Sequence, residues 1–408
     1  MTKPQHHEIV VIGAGICGAT IANELFERGK SVCVIDASSS PASACSRHAY
    51  AIAHPHIGKG SPRLLRLTRL AFLLAEARWG EVWRAHGIFQ PTKKDRLFNS
   101  EEVSAHLYSL DLKEDIAIAL DEQQAQEICG IPQSGVWMSR GACLNLLEAS
   151  KQLLHEREGL TCLWNRRVVK IDERNGARFL LDNADQVIAS TDKLVIAAAM
   201  DSKALINSLG VRLPLKPVRG QLSIFSINSD DAWVEKLPKV GISGDGYCLP
   251  AEQLTDGSYR WIVGSSFDEG EDDLLPRASS DDFNGEQAKR LVDYPAGDIN
   301  SLKKSGEFVG IRCVAGDRLP IIGALTQRPG IFLATALGSR GILWSALAAK
   351  LITAQLLEDD VALLARLGFA ADLVAALAPA RFLAGALAEP GALASNSKPI
   401  LPSEPRAK

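Results

Sequence analysis

The sequence predicts a mixed α/β fold in which a parallel-sheet domain, discontinuous along the chain, is interrupted by a domain built on an antiparallel sheet. A strand, turn, helix and second strand occupy residues 8–36, and a strand, a Gly-rich turn and a helix return at residues 331–357. Between them, residues 213–310 contain longer strands separated by turns. The 408 residues, 46% of them hydrophobic, are enough for two such domains.

The first strand and helix are joined by a glycine-rich turn. Residues 8–12 are a β-branched run, and residues 13–18 read GAGICG, which matches the pattern G-x-G-x-x-G at the start of a helical stretch. Gly13 permits the tight turn, Gly15 lets a pyrophosphate approach the start of the helix, and Gly18 lets the helix pack closely against the strand.

An acidic residue completes this pattern. The second strand, residues 31–35, ends at Asp36, about 20 residues beyond the glycines, where a carboxylate accepts hydrogen bonds from ribose hydroxyls. The pattern predicts dinucleotide binding, with contacts from Gly13, Ala14, Gly15, Gly18 and Asp36. The carboxylate disfavours NADP and leaves both NAD and FAD open.

The remaining elements follow from the spacing of apolar residues. Helices are predicted at residues 63–84, 121–128, 144–155, 285–292 and 342–357, with two short helices between residues 361 and 387. Strands are predicted at residues 161–165, 168–172, 178–181, 193–197, 221–227, 247–250, 259–264 and 331–336. We therefore expect a first domain of residues 1–85, 142–212 and 310–390, a second domain of residues 86–141 and 213–309, and a disordered tail at residues 391–408.

Charge and cysteine content narrow the class of protein. The formal net charge of −3 gives no global attraction to nucleic acid, so a polyanionic partner would have to be met by a local basic patch. The eight cysteines contain no C-x-x-C pair, which favours reduced thiols and a cytoplasmic location. Residues 341–357 are apolar but too short to span a bilayer, so we expect no membrane anchor there.

Two C-terminal segments carry a family resemblance. Residues 310–323 read GIRCVAGDRLPIIG, and residues 334–356 read ATALGSRGILWSALAAKLITAQL. With the N-terminal glycine motif, they resemble the D-amino-acid-oxidase-like superfamily of flavoproteins. The resemblance implies FAD rather than NAD, held between the first glycine turn and a second turn at Gly338, Ser339, Arg340 and Gly341, with the adenine near the backbone of Val168 or Val169.

Within that superfamily, several stretches resemble the oxidoreductase domains of the MnmC family of tRNA wobble-uridine enzymes. These are RGQ at residues 219–221, GDRLPIIG, ALGSRGI, and LAPARF at residues 377–382. The family has a polar SGN-like turn where this chain reads ACSR at residues 44–47. The resemblance implies oxidation of the 5-carboxymethylaminomethyl group of wobble uridine to 5-aminomethyl, with release of glyoxylate.

That substituent is an N-alkylated glycine, so its oxidation requires a group that holds a carboxylate, for which arginine has the matching planar fork. Similarity to the glycine-oxidase branch implies that Arg312 clamps the substrate and that Arg340 and Tyr247 also line its pocket. The alternative is that the two arginines form structural ion pairs and that Tyr247 fills the core.

Two further patterns leave alternatives open. His54 and His56 suggest a metal site, but no Cys or carboxylate lies nearby in the sequence, which favours a structural or flavin-proximal loop. Arg63, Arg66 and Arg69 form a basic stripe on a predicted helix, suited either to tRNA phosphates or to simple solvation. The partner is thus tRNA or a small amino acid, and a third hypothesis is a non-catalytic flavin-fold subunit.

Overall fold

The computed structural model describes residues 5–48, 50–58, 60–84, 87–93, 97–291, 302–357 and 361–383. Its α-helices are α1 (Ile16–Glu27), α2 (Pro62–Trp79), α3 (Ser100–Ser109), α4 (Glu122–Cys129), α5 (Leu146–Leu153), α6 (Ser202–Ser208), α7 (Ala278–Leu291), α8 (Gly341–Leu357), α9 (Val361–Arg366) and α10 (Ala371–Leu377). Its strands are β1 (Gln5–Ile12), β2 (Val32–Ile35), β3 (Ala51–Ala53), β4 (Ile88–Pro91), β5 (Ile118–Leu120), β6 (Gly135–Met138), β7 (Ala142–Leu144), β8 (Leu160–Leu163), β9 (Lys170–Arg174), β10 (Ala177–Leu181), β11 (Val187–Ile196), β12 (Leu215–Ile227), β13 (Gly241–Gly244), β14 (Gly246–Cys248), β15 (Glu252–Gln253), β16 (Tyr259–Gly264), β17 (Asp268–Glu269), β18 (Lys303–Ala315), β19 (Ile321–Ala324) and β20 (Ile331–Thr335). The predicted mixed α/β class is confirmed.

The first sheet has the strand order β19-β20-β11-β1-β2-β8. Strands β20, β11, β1, β2 and β8 run parallel, whereas β19 is antiparallel to β20, and the β9–β10 hairpin joins through β11. The C-terminal strand β20 therefore lies in the same sheet as the N-terminal strand β1, which makes this part of the fold discontinuous along the chain.

Both faces of the first sheet are buried because alternate residues of β1 enter different apolar clusters. Ile9 and Val11 pack with helices α1, α2 and α8, while Val10 and Ile12 pack with α6 and the end of β18. Helix α8 is apolar on almost every side, and its Lys350 donates to Glu24 of α1 at 2.7 Å. Among the described residues, every helix is too short or insufficiently apolar to cross a bilayer.

The second sheet has the order β17-β12-β16-β14-β13-β4-β6-β5, and β18 pairs with β12 along its length. Its strands come from residues 88–138 and 215–315, two separate parts of the chain. Helix α7 packs on this sheet through Ala288 and Leu291. The division into two domains stays a proposal, and its third segment, beginning at residue 310, starts inside β18.

The structure corrects several element boundaries. Helix α2 ends at Trp79 rather than at residue 84, because a short 3₁₀ turn follows at Gly80–Val82. Helix α7 begins seven residues before the predicted 285, and β9 begins at Lys170 rather than at residue 168. Helices α3 and α6 lie in segments for which no helix was predicted. The predicted tail at residues 391–408 lies outside the described residues.

Candidate functional site

A cavity of about 1760 Å³ is lined by residues of the second sheet and by the N-terminal ends of α1 and α8. Tyr247 and Arg312 come from the sheet, and Ile16 and Gly341 come from the two helices. Gly341 lies close to Ile16, since a Cβ built on Gly341 would stand 3.9 Å from the Cγ2 atom of Ile16. Two helix N-termini, each with the partial positive charge of the helix dipole, therefore converge at this cavity.

The N-terminal glycine turn has the backbone geometry that the motif predicts. Gly13 has φ +106°, in a region that L-residues rarely adopt, and a Cβ on Gly18 would lie 1.9 Å from the carbonyl oxygen of Gly13. Gly15 is the N-cap of α1 and adds no side chain at the helix start, where the Ser46 hydroxyl accepts from the Ile16 N–H alone and the first turn holds no acidic residue. A pyrophosphate can therefore approach these amides.

Asp36 lies beside this turn at the end of β2. Its carboxylate accepts hydrogen bonds from the backbone N–H groups of Ala14 at 2.7 Å and Ser38 at 2.8 Å. Each oxygen keeps a second lone pair, so the carboxylate is held in place and can still accept from a ribose hydroxyl. This position fits the ribose role predicted for it.

The structure distinguishes Val168 from Val169. The Val169 N–H donates to the carbonyl of Leu181 at 2.8 Å and is thus engaged within the sheet. The backbone N–H of Arg166 donates to the carbonyl of Asp36 at 2.9 Å. This hydrogen bond places the segment that contains Val168 along the end of β2. The described residues provide no backbone partner for the Val168 amide, so Val168 is the better candidate for an adenine contact.

The second glycine turn comes directly before α8 in the sequence. Gly338 has φ +56° and donates to the carbonyl of Cys313 at 2.9 Å, which ties the turn to β18. Gly338, Ser339, Arg340 and Gly341 all line the cavity. The turn before α8 would hold the flavin ring, and the turn before α1 would hold the pyrophosphate. The two turns together therefore fit FAD.

Arg312 lies on β18 and lines the cavity, where its side chain is partly buried. It donates to the hydroxyl of Ser265 at 2.5 Å and to the carbonyl of Ser266 at 3.2 Å, and it lies 5.5 Å from the centre of the Phe267 ring. No carboxylate among the described residues forms an ion pair with it, and burial lowers its pKa below the ordinary value. Arg312 is therefore a partly buried cation whose hydrogen-bond partners are all neutral, which suits it to bind an anion from the cavity.

The neighbouring RGQ segment explains this arrangement. Arg219 is fully buried and pairs with Asp268 at 2.9 Å, and it donates to the side chain of Gln221 at 2.9 Å. Gly220 lies between Arg219 and Gln221 in the sequence. It makes room for the side chain of Arg312, because a Cβ on Gly220 would lie 2.1 Å from the Nη1 atom of Arg312. Arg219 thus engages the nearest carboxylate and leaves Arg312 without one.

Arg340 and Tyr247 line the same cavity as Arg312. Arg340 approaches Nδ1 of His56 at 3.3 Å, and burial lowers its pKa, with no carboxylate of the described residues paired to it. Burial raises the pKa of Tyr247, and Arg312 opposes that shift through its charge, so the phenol stays protonated. The structural ion-pair alternative thus finds no partner for either arginine in the described part of the chain.

His48 was not named from the sequence, and His54 and His56 were assigned from it to a structural or flavin-proximal loop. His48 and His54 line the cavity, and burial lowers the pKa of each to about 4. His54 contacts the hydroxyl of Ser243 at 2.8 Å, so it belongs to a hydrogen-bonded wall. No cluster of three or more potential metal ligands occurs among the described residues.

The loop that departs from the SGN-like pattern still reaches the cofactor region. Ser46 accepts a hydrogen bond from the backbone N–H of Ile16 at 3.1 Å, at the start of α1. Cys45 donates to the carbonyl of Ile311 at 2.7 Å, and burial raises the pKa of its thiol. All eight cysteines are free thiols.

The arginine stripe on α2 is largely neutralised. Arg66 pairs with Asp372 at 2.8 Å, and Arg69 pairs with Asp111. Arg63 is exposed and has no ion pair among the described residues. The stripe therefore offers one unpaired cation rather than three.

Comparison with known sequences shows the family. The family model DAO, FAD dependent oxidoreductase, matches residues 8–355. The protein of Ralstonia nicotianae named tRNA 5-methylaminomethyl-2-thiouridine biosynthesis bifunctional protein MnmC is 30% identical over 421 residues, covering 94% of this chain and 61% of the relative. The chain spans about three fifths of the length of the curated relatives it matches.

Comparison with solved structures shows the fold. Glycine oxidase from Geobacillus kaustophilus matches with a TM-score of 0.69 at 19% identity, covering 90% of this chain and 99% of that chain. Dithionite-reduced L-α-glycerophosphate oxidase from Mycoplasma pneumoniae, with FAD bound, matches with a TM-score of 0.70 at 15% identity, covering 86% of this chain and 95% of that chain.

Proposed function

Because this chain belongs to the DAO family of FAD-dependent oxidoreductases, we propose that it oxidises the C–N bond of an N-substituted glycine. The proposed substrate is the carboxymethylamino group of 5-carboxymethylaminomethyl-(2-thio)uridine at the wobble position of tRNA. The products are then 5-aminomethyl-(2-thio)uridine and glyoxylate. The names of the curated relatives support tRNA as the carrier of this group.

The observation that carries the proposal is the partly buried guanidinium of Arg312, which lines the cavity and has no carboxylate ion-pair partner among the described residues. Removing a cation partly from water without an anionic partner costs free energy, and a bound anionic ligand would offset that cost. The planar fork of arginine matches the two oxygens of a carboxylate, so the glycine end of the substrate supplies the missing charge.

The chain's own residues bind and orient the substrate. Arg312 fixes the carboxylate, Tyr247 offers a protonated hydroxyl beside it, and the two fixed points aim the glycine methylene. FAD, when bound, supplies the acceptor for the hydride that leaves this methylene. Water then adds to the resulting imine, and the C–N bond breaks to give the amine and glyoxylate.

The lining of the cavity favours a nucleotide-borne substrate. It includes Arg290, Phe98 and Phe283, together with Lys93 and Lys289, which pair with Asp245 and Glu286. Such a mixture of cations and rings is suited to phosphates and unstacked bases.

The second candidate is an oxidase or dehydrogenase of a free amino acid, such as glycine, sarcosine or a D-amino acid. One observation favours it, namely that Arg312, Tyr247 and Arg340 all belong to the cavity's own lining, so a small amino acid would meet the same carboxylate site. The outer basic residues would then have no role in binding.

The decisive experiment mixes the flavin-loaded protein anaerobically with tRNA that carries the 5-carboxymethylaminomethyl group, and separately with glycine and sarcosine. We expect tRNA to bleach the flavin at micromolar concentration and to yield glyoxylate and 5-aminomethyluridine. Reduction by glycine or sarcosine at least as efficient as reduction by tRNA would replace the first candidate with the second.

A matched pair of variants links the result to the site. Arg312→Gln removes the cation at the cavity wall. Arg318→Gln removes an exposed arginine that pairs with Glu269. The guanidinium of Arg318 lies 5.3 Å from the centre of the Phe267 ring, which Arg312 also contacts. We expect reduction to be lost in the first variant and retained in the second. Equal loss in both would show that the charge of Arg312 is not specifically required.

A further inference from the structure

Phe267 is an exposed aromatic residue on the wall of the cavity that Arg312 also lines. It is 42% exposed, and Leu97 and Phe283 are two further apolar residues of the same lining that are exposed. Large apolar side chains exposed at a cavity are candidates for a role in ligand binding. Phe267 differs from the other two because its ring contacts the side chain of Arg312.

The ring lies beside two guanidinium groups. Cζ of Arg312 is 5.5 Å from the ring centre, within the range of about 6 Å for a cation–π contact. Cζ of Arg318 is 5.3 Å from the same centre, but Arg318 pairs with Glu269. Of the two cations at this ring, Arg312 is therefore the one whose hydrogen bonds go only to neutral groups.

Three successive residues surround the Arg312 guanidinium with neutral groups. The Ser265 hydroxyl accepts from it at 2.5 Å, the Ser266 carbonyl accepts at 3.2 Å, and the ring of Phe267 follows. The backbone of Gln221 in β12 fixes this segment, since its N–H donates to the Ser266 hydroxyl at 3.0 Å and its carbonyl accepts from the Ser266 N–H at 3.2 Å. The sheet thus determines where the ring stands.

The position of the ring has two consequences for anion binding. An aromatic ring attracts a cation without neutralising it, so Arg312 keeps its full charge. The ring also occupies space beside the guanidinium that water would otherwise fill. A carboxylate that binds Arg312 then displaces less water, and dissolved salt screens the resulting ion pair less than it would screen an exposed pair.

We propose that Phe267 is a positioning residue for the substrate carboxylate, which holds the guanidinium of Arg312 in place and shields it from water and salt. This inference rests on the proposed function, in which Arg312 binds the carboxylate of the glycine unit. Phe267 acts through Arg312 and needs no contact with the reacting atoms. It raises the affinity for the carboxylate, while Arg312 and Tyr247 still orient the bound methylene.

The test is a calorimetric titration of the flavin-loaded protein with N-acetylglycine. This probe carries the glycine carboxylate but has an amide nitrogen in place of the amine. In Phe267→Ala we expect the dissociation constant to rise about tenfold, which corresponds to about 1.4 kcal/mol. Between about 20 and 500 mM KCl, the dissociation constant of the variant should also rise more steeply than that of the wild type, because water and ions then reach Arg312.

Two variants serve as controls. Phe267→Tyr keeps the ring, so it should retain the wild-type affinity and salt dependence. Leu97→Ala removes another exposed apolar side chain from the same cavity and should also bind as the wild type does. Wild-type binding by Phe267→Ala, weak binding by Phe267→Tyr, or an equal loss in Leu97→Ala would overturn the inference.

Anaerobic flavin reduction by the tRNA described above separates this inference from the proposed function. In Phe267→Ala the half-saturating concentration should rise while the limiting rate is retained, because a bound carboxylate still fixes the methylene. A lower limiting rate at unchanged half-saturation would overturn the inference. Reduction of the wild-type flavin together with unchanged carboxylate binding in Phe267→Ala would overturn the inference alone. If no amine reduces the wild-type flavin, the proposed function fails and the inference fails with it.

Discussion

The substitution Gly220→Ala should displace Arg312 without unfolding the protein. A Cβ at this position would lie 2.1 Å from Nη1 and 2.4 Å from Cζ of Arg312, whereas ordinary contacts begin near 3.4 Å. The guanidinium must therefore retreat by more than about 1 Å, and it can do so because it ends a flexible side chain. Its contacts with Ser265 and Ser266 would be lost.

A misplacement of about 1 Å in a binding group can lower a reaction rate by about 100-fold, which corresponds to about 3 kcal/mol. We therefore expect kcat/KM for flavin reduction to fall by about that factor. The free energy of unfolding should change by less than about 1 kcal/mol, because alanine suits the middle of a strand better than glycine does.

Stopped-flow reduction and urea denaturation measure the two quantities in parallel. Gly306→Ala is the matched control, since it lies in β18, the strand paired with that of Gly220, and its Cβ would meet only Ile224 at 3.9 Å. Wild-type reduction by Gly220→Ala would refute the assignment of Arg312 to the substrate carboxylate. An equal loss in Gly306→Ala would show that the effect is not local.

Three further outcomes are expected. Arg312→Lys keeps the charge but loses the planar fork, so reduction should slow at least tenfold while the melting temperature is retained; an unchanged rate removes Arg312 from the site. Gly15→Asp should abolish FAD retention without destabilising the apoprotein, because aspartate is a better helix N-cap than glycine by about a few tenths of a kcal/mol and its charge repels the pyrophosphate; full flavin content contradicts this. His54, with a pKa lowered to about 4, stays neutral when folded but protonates near pH 6.5 when unfolded, so stability present at pH 7 is lost as pH falls, by about 2 kcal/mol at pH 5. Urea denaturation should show that His54→Gln removes this share of the pH dependence, and an unchanged dependence would exclude His54 as its source.

The glycine turn between β1 and α1 was predictable from the sequence, because its geometry depends only on one strand, one turn and one helix that are adjacent in the chain. Gly13 must adopt a positive φ and Gly18 must lie against the strand wherever this segment folds, and both requirements are met. The elements missed include the short helices α3 and α6, which lack a strong apolar stripe, and the strands β18 and β19. Helix α8 was found because its apolar run is long.

Interactions between distant segments were not predictable in the same way. The sequence named Arg312, Arg340 and Tyr247 through a family resemblance, but whether the arginines had carboxylate partners depended on folding. In the arginine stripe on α2 the carboxylate partners are present, since Arg66 pairs with Asp372, a residue far along the chain. Ion pairing depends on distances in space, which sequence spacing does not encode.

The sequence by itself determined the fold class and the backbone geometry of the first glycine turn, because these depend on local periodicity and on glycines at fixed spacing, and it indicated the family through a resemblance that the family model confirms. The tertiary structure alone decided which side chains share the cavity. Arg312 becomes a partly buried cation without a carboxylate because β12 and β18 pair in a register that places Gly220 against its guanidinium, while Asp268 pairs with Arg219. The electrostatics of the site therefore arise from strand pairing across about ninety residues of chain.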